Sequence, residues 1–393
     1  MLRLIVVGVL VLIALAVWLS PSAPDAGAKA VVSAEGEDLS RNPGDRRVTV
    51  RDVLANRGSD GFQQVLEPTA IRFPEDHGPH PGFRTEWWYF TGHLQSEEGR
   101  PFGFELTFFR QALAPRSPET SSAWAAREVF MAHFALTDVS GQRFYAAERL
   151  ARAALDLAGA KATPLRVWVE DWSLESASPA PAPGDASRRP VPFKLRASEG
   201  TTSLELTLGP GKPPVLQGDR GLSRKGPADG EASYYYSMTR MPARGNLSLG
   251  GQAFAVTGEA WMDREWSSRS LPPGVVGWDW FALQLEDGRE LMYYQLRSKD
   301  GRPTPESSGT LVERDGTARP LGPVRLEALG RWRSPLDGKE YPSGWRLETE
   351  DLKLKVVPLM AGQELDLRVR YWEGAVRVEG AAEGNGYVEL VGY

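Results

Sequence analysis

The stretch Gly258-Glu259-Ala260-Trp261-Met262-Asp263-Arg264-Glu265-Trp266 concentrates groups that could do chemistry. On a β-strand successive side chains alternate between faces, so Trp261, Asp263 and Glu265 would point together. Two carboxyls beside an indole are costly in a plain core, because burial and like charge each oppose ionisation. The same two effects move a carboxyl toward the range where a general acid works, and an indole face can stabilise a cationic centre. Asp263, Trp261 and Glu265 are therefore the candidate catalytic residues. The competing structural reading pairs these carboxyls with Arg264 or Arg269 at a barrel rim.

Three further clusters supply candidate ligand contacts. In Arg84-Thr85-Glu86-Trp87-Trp88-Tyr89-Phe90, Glu86 and Trp88 share a face. They could line a site, or Glu86 could pair with Arg84 to brace an aromatic strand. In Tyr234-Tyr235-Tyr236-Ser237-Met238, Tyr234 and Tyr236 share one face and Tyr235 and Ser237 the other. One face could wall an apolar cavity with phenol hydroxyls as its polar handles; Tyr234 and Tyr236 are the candidates. Trp278-Asp279-Trp280-Phe281 adds Trp278 and Trp280. The four histidines are His77, His80, His93 and His133. Asp76-His-Gly-Pro-His-Pro could offer an H-x-x-H metal pair, but reads more simply as a turn with solvated histidines. No nucleophile elbow, phosphate-binding loop, zinc-protease motif or dinucleotide fingerprint is present. No metal and no cofactor are expected.

The chain that must position these groups has 393 residues, room for two or three domains. With 41% hydrophobic and 25% charged residues it has enough apolar surface to fold, which excludes disorder of the whole chain. The net charge of -5 and the lack of a basic stripe argue against nucleic acid as a partner. There is no cysteine, so disulfides, thiolate metal sites and a lipidated cysteine anchor are excluded. Thirteen tryptophans in a chain punctuated by 41 Gly and 30 Pro point to β architecture with aromatic interiors.

Period-two stretches bear this out as an expectation of strands. Phe102, Phe104, Leu106 and Phe108 fall on one face, Leu204–Leu208 alternates likewise, and so does Leu365–Tyr371. Asp287-Gly288, Asp300-Gly301, Asp315-Gly316 and Asp337-Gly338 are hairpin-type dipeptides. Ala146–Ala160 is the one stretch with helical periodicity. Ser176–Pro190, rich in Pro, Ala and Ser, reads as a loop inside a domain. Trp87–Phe90 and Trp278–Phe281 each precede an acidic-Gly-Arg turn and an aromatic strand ending in Arg, a faint repeat that suits two related β-domains in tandem. Arg244–Gly251 reads as the turn between them. The expected layout is residues 1–30 as a targeting segment, 31–67 as an N-terminal arm, 68–246 as the first domain and 247–393 as the second.

Motifs this long and aromatic invite a family. Glu86-Trp-Trp-Tyr-Phe-Thr-Gly, Ala260-Trp-Met-Asp-Arg-Glu-Trp-Ser, Gly277-Trp-Asp-Trp-Phe and Tyr371-Trp-Glu-Gly-Ala-Val with Gly386-Tyr-Val-Glu-Leu-Val-Gly-Tyr resemble the AttH-like, carotenoid 1,2-hydratase-like family. Its members are often labelled predicted secreted hydrolases, though no hydrolytic nucleophile is recognisable here. The resemblance covers about Phe73 to Tyr393. It implies an all-β fold of two tandem lipocalin-like (calycin) antiparallel β-barrel domains, and relatives that hydrate isoprenoid alkenes or close rings on polyenes. The hydratases' aromatic–x–Asp pair is matched by Trp261-Met262-Asp263, with Trp in place of Tyr. Their upstream His-x-Trp pair falls at Tyr234-Tyr235-Tyr236, where this chain has no His. The resemblance implies an apolar small molecule or lipid as ligand. Two readings stay open: a carbon–oxygen lyase of hydratase type with Asp263 as the acid, or a non-catalytic lipocalin-like carrier or adaptor serving an envelope ABC transporter.

Met1-Leu2-Arg3, the apolar run Leu4–Leu19 and Ala28-Lys29-Ala30 together read as an export signal, which places the folded part in the periplasm. If the signal stays uncleaved, this segment is an anchor and the chain's contact with the membrane. N-terminal sequencing of the envelope-located protein should begin near Val31; an intact Met1 in the membrane fraction would make the segment an anchor instead.

Overall fold

A computed structural model describes residues 60–116, 122, 124–177, 192–269 and 271–393. The expected targeting segment and most of the expected arm lie outside the described residues. A first antiparallel sheet holds β1 (Thr85–Ser96), β2 (Pro101–Ala112), β3 (Glu128–Asp138), β4 (Arg143–Arg152), β5 (Ala158–Ala162), β6 (Leu165–Val169) and β7 (Trp172–Ser176). It continues through β8 (Phe193–Glu199), β9 (Thr202–Leu208), β10 (Val215–Leu216), β11 (Leu222–Arg224), β12 (Ala232–Leu249) and β13 (Gln252–Ser267). Its strands follow the order β4-β3-β2-β1-β13-β12-β9-β8-β7-β6-β5, and its two ends approach each other, giving a nearly closed barrel.

A second antiparallel sheet forms a half-barrel. Its strands are β14 (Val275–Leu285), β15 (Glu290–Ser298), β16 (Ser308–Val312), β17 (Ala318–Pro320) and β18 (Arg325–Ala328), then β21 (Trp345–Glu348), β22 (Lys353–Pro358), β23 (Glu364–Leu365), β24 (Tyr371–Gly380) and β25 (Gly384–Val391). A separate hairpin of β19 (Arg331–Arg333) and β20 (Glu340–Pro342) stands beside it.

The faint sequence repeat reappears as topology. In the first sheet the order β3-β2-β1-β13-β12 places the opening strand beside the closing one, and β16-β15-β14-β25-β24 does the same in the second. The four Asp-Gly dipeptides all fall at turns; Gly288, between β14 and β15, sits at φ +86°, where a residue with a Cβ is strained.

Period-two patterning works as expected on β2, whose Phe102, Phe104, Leu106 and Phe108 all enter the first core. Three expectations differ. Ala146–Ala160 is not a helix: β4 runs to Arg152, paired along its length with β3, and β5 begins at Ala158. Sheet pairing outweighs the helical propensity of its alanines. Leu365–Tyr371 is not one strand, because the chain bends between β23 and β24, where Arg370 pairs with Glu364 and Asp337. The expected division at 246/247 falls inside β12; β12 and β13 form one long hairpin in the first sheet, and the change of sheet comes between Ser267 and Val275.

Residues 60–84 fold across one end of the first barrel. Val65 and Phe83 enter its core, and Ile71 and Phe73 pack against it. His77, expected to be solvated, is buried; its Nδ1 meets Tyr236 Oη at 2.7 Å and its carbonyl accepts from Trp88 Nε1 at 2.8 Å. His80 stacks on Trp266 with ring centres 3.8 Å apart. This cover is tied down by Glu86. Its carboxylate accepts from the Arg110 and Arg264 guanidiniums and from the His80 backbone N–H. Those two arginines, rather than the expected Arg84, are its charge partners. Burial opposes Glu86's charge, but Arg264 and then Arg110 outweigh it and hold the carboxyl well below the usual range. Removing one side of such a buried cluster leaves unpaired charge. Glu86→Gln should therefore lower unfolding stability by ~3–5 kcal/mol in urea titrations; a loss under ~1 kcal/mol would show that the cluster is not what fastens the cover.

Candidate functional site between the barrels

The pleat gives β1, β2, β3, β12 and β13 a second buried face, turned outward from the first barrel toward the second. Strand register arranges that face in rows. His133, Thr107, Tyr89, Asp263 and Ser237 are successive direct cross-strand neighbours, and Met131, Phe109, Trp87, Glu265 and Tyr235 form the row beside them. The half-barrel answers with Tyr294, Trp280 and Glu389 in one row and Leu296 and Trp278 in another. Between these walls lies a cavity of about 120 Å³, joined by Lys225 and Leu271 from loops and Tyr371 from β24. Each barrel's interior is filled by its own core.

Asp263 is the polar centre of this cavity. Its carboxyl accepts from Tyr235 Oη at 2.5 Å, Ser237 Oγ at 2.5 Å and Trp261 Nε1 at 2.7 Å. Tyr235 Oη in turn accepts from Trp280 Nε1 at 3.2 Å, so one hydrogen-bond chain crosses from barrel to barrel. Among the described residues no cation bonds Asp263. Arg264, the expected partner, points to the opposite face and Glu86, and Arg269 approaches Glu231 at 3.6 Å. Burial therefore pushes the Asp263 carboxyl up, the three donors restrain it, Glu265 adds like charge, and the outcome is about 6.

Glu265 does have a cation, Lys225 Nζ at 3.2 Å. Burial works against the Lys225 charge, but Glu265 outweighs it and keeps the amine protonated; it lies 4.1 Å from the Tyr294 ring centre. Glu389 accepts from Trp278 Nε1 at 2.8 Å. Burial lifts it to about 7, with Asp263 and Glu265 adding like charge. Next along this row, Glu373 stands directly across from Glu389 and accepts from Tyr89 Oη. Burial and its acidic neighbours raise Glu373 well above the usual range, and Glu105 is lifted to about 8.

The candidate residues thus divide. Asp263, Glu265, Trp278 and Trp280 line the cavity, and Trp261 braces Asp263 from beside it. Glu86, Trp88, Tyr234 and Tyr236 do not: they lie on the other side of the pleat, Trp88 and Tyr236 in the first core and Tyr234 donating to the Glu67 carbonyl at 2.9 Å. The tyrosine that reaches the acid is Tyr235, one residue along. Sequence reading also missed Trp87, Tyr89, His133, Lys225 and Glu389. Tyr235 was legible as the other face of its own triplet, and Glu389 as a lone acid between Val388 and Leu390. Lys225 enters from a loop with no periodic signal.

The family model AttH-like matches residues 64–393. The chain belongs to the AttH-like family. A crystal structure of a protein from Nitrosomonas europaea described as an AttH is 37% identical, covering 84% of this chain and 100% of that one with a TM-score of 0.75. Kievitone hydratase from Nectria haematococca shares the fold at 14% identity, covering 84% of this chain and 98% of its own, with a TM-score of 0.62. Comparison with curated proteins returns no match. Two barrel-like sheets, nearly closed and half-closed, are thus the architecture of this AttH-like chain.

The buried groups set a pH profile. Asp263, Glu389 and Glu105 have folded values of about 6, 7 and 8, above their ordinary 3.8, 4.5 and 4.5, so in this window the folded state binds more protons than the unfolded one. Their stability is full at low pH and is lost as pH rises through those values. Buried His77, His93 and His133, lowered from 6.5 to about 4, 4 and 3, act in the opposite sense and only below 6.5. Scanning calorimetry should show Tm falling between about pH 6.5 and 8.5, and Glu105→Gln should flatten that fall; a Tm that rises across this window would contradict the buried carboxyls.

Proposed function

We propose that this AttH-like protein binds an apolar, isoprenoid- or lipid-like molecule between its barrels and hydrates a carbon–carbon double bond there by acid catalysis. The observation that carries the reading is Asp263: a buried carboxyl on an aromatic wall, held by three neutral donors, poised near 6. In the proposed step the alkene π electrons take the Asp263 proton to form a C–H bond. The other carbon becomes cationic, faced by indoles and by acidic side chains. Water adds to it through oxygen and returns one proton to the Asp263 carboxylate, so the acid is regenerated and the net change is addition of one water. General acid catalysis supplies ~10²–10⁴-fold; the Trp278 and Trp280 rings and the nearby carboxylates would lower the cation's energy further. The fold shared with a protein named as a hydratase supports this reading. Export to the periplasm and service of an envelope transporter belong to the same proposal, motivated by the N-terminal residues and by the family resemblance.

The test uses protein isolated from its host, with bound lipids identified by mass spectrometry. Wild type should carry an alkene together with its hydrated product, one water heavier. Asp263→Asn should carry the alkene alone, with the amount bound unchanged within about twofold and turnover down by at least ~10²-fold. One unmodified species on both proteins would make the chain a carrier, and an unchanged product ratio in Asp263→Asn would remove Asp263 as the acid.

A further inference from the structure

The row that carries Asp263 has a polar far end on β2 and β3, which the proposed chemistry does not use. Thr107 and His133 both line the cavity, and both are buried, at 1% and 0% exposure. Thr107 Oγ1 and His133 Nε2 have no hydrogen-bond partner among the described residues. Glu148, the next cross-strand neighbour of His133, brings a third such atom: its Oε2 also lacks a hydrogen-bond partner and lies 3.9 Å from His133 Nε2. The rest of each group is committed. His133 Nδ1 meets Tyr371 Oη at 2.7 Å, and Glu148 Oε1 accepts from Arg368 Nε at 2.7 Å. Glu105, on the same face of β2, has the Thr107 hydroxyl as a restraining neighbour, but the pair falls short of full hydrogen-bond geometry and both Glu105 oxygens also lack a partner among the described residues.

Buried polar atoms are rarely left unsatisfied, since each costs ~1–3 kcal/mol. Two of them, Thr107 Oγ1 and His133 Nε2, stand at one end of the cavity, with the Glu148 carboxylate beside His133. We propose that the Thr107–His133 end of the cavity is a second subsite, which takes the hydroxyl of an alcohol or phenol on an otherwise apolar ligand. A hydroxyl both donates and accepts, so it can give its proton to His133 Nε2 while accepting from Thr107 Oγ1 on the neighbouring strand. A carboxylate or phosphate would face the Glu148 and Glu105 side chains. An ammonium would accept nothing and would compete with Arg368 for Glu148. Adjacent strands are about 4.8 Å apart, so Thr107 stands two spacings (~10 Å) and His133 three (~14 Å) from Asp263. The hydroxyl and the reacting double bond are therefore at opposite ends of the ligand. This deepens the proposed function and rests on the same cavity being the binding site.

The test is a binding measurement that needs no turnover. Quenching of tryptophan fluorescence reports on the cavity, whose walls include Trp87, Trp278 and Trp280. Geraniol and farnesol are compared with the same chains lacking the hydroxyl. Wild type should bind the alcohols about tenfold or more tightly than the hydrocarbons, the equivalent of one buried hydrogen bond. Thr107→Val, which keeps shape and removes the hydroxyl, should bring that ratio to within about twofold without weakening the hydrocarbons, and Thr107→Ser should restore it. Equal binding of alcohols and hydrocarbons by wild type, no binding of the alcohols, or a preference that survives in Thr107→Val would each overturn the subsite. The two proposals fail separately. A Thr107-dependent preference without hydration of any alkene fails the acid chemistry alone, and hydration with no preference for the alcohols fails the subsite alone.

Discussion

Each of the central strands β1 and β13 serves two cores at once, and the site depends on which side chain goes to which. Trp88, Phe90, Met262 and Trp266 enter the first barrel, while Trp87, Tyr89, Asp263 and Glu265 face the second. A slip of one residue would exchange the two sets. It would drive two carboxyls into an apolar core and aim Arg264 at the cavity. The Glu86 cluster opposes such a slip. Glu86 on β1 lies directly across from Arg110 on β2, and Arg264 on β13 reaches it from two pairs along the same face. The charge cluster on the barrel side thereby fixes the acid on the cavity side.

Two buried carboxyls on neighbouring strands are thus held in opposite states by their surroundings. Glu86 is ringed by guanidiniums and stays ionised at any moderate pH. Asp263 is met only by hydroxyls and an indole and keeps its proton to much higher pH. Environments that drive like groups apart are the usual mark of divided labour between structure and chemistry. The same logic extends across the junction, where Glu389 and Glu373 share the low-dielectric space between the barrels with Glu105 and no guanidinium bonds any of them among the described residues.

The strands were legible where period-two alternation survives beside a single core, as on β9, and on β2 through its four apolar residues although both its faces are buried. The faces of β1, β12 and β13 were harder to assign, since both sides are buried and no polar face marks the solvent. That is why Asp263 and Glu265 could be grouped correctly from their own strand, while Tyr236 was preferred to Tyr235: the choice depends on the register between β12 and β13, which local sequence does not display. The alanines of Ala146–Ala160 favour a helix only in isolation. Glu389 and Lys225 become site residues through pairing and loop placement from distant parts of the chain. The tandem repeat was visible, but its boundary was not, because β12 and β13 continue the first sheet well past the Gly-rich turn that suggested an end.

The proposed chemistry requires Asp263 to be a protonatable acid buried between the two barrels. Carbon-13 NMR titration of protein labelled at the aspartate carboxyls measures this directly, with the Asp263 resonance assigned by its loss in Asp263→Asn. The account predicts a midpoint near 6. A midpoint at the ordinary 3.8 would mean that water or a cation reaches the carboxyl, and would contradict it.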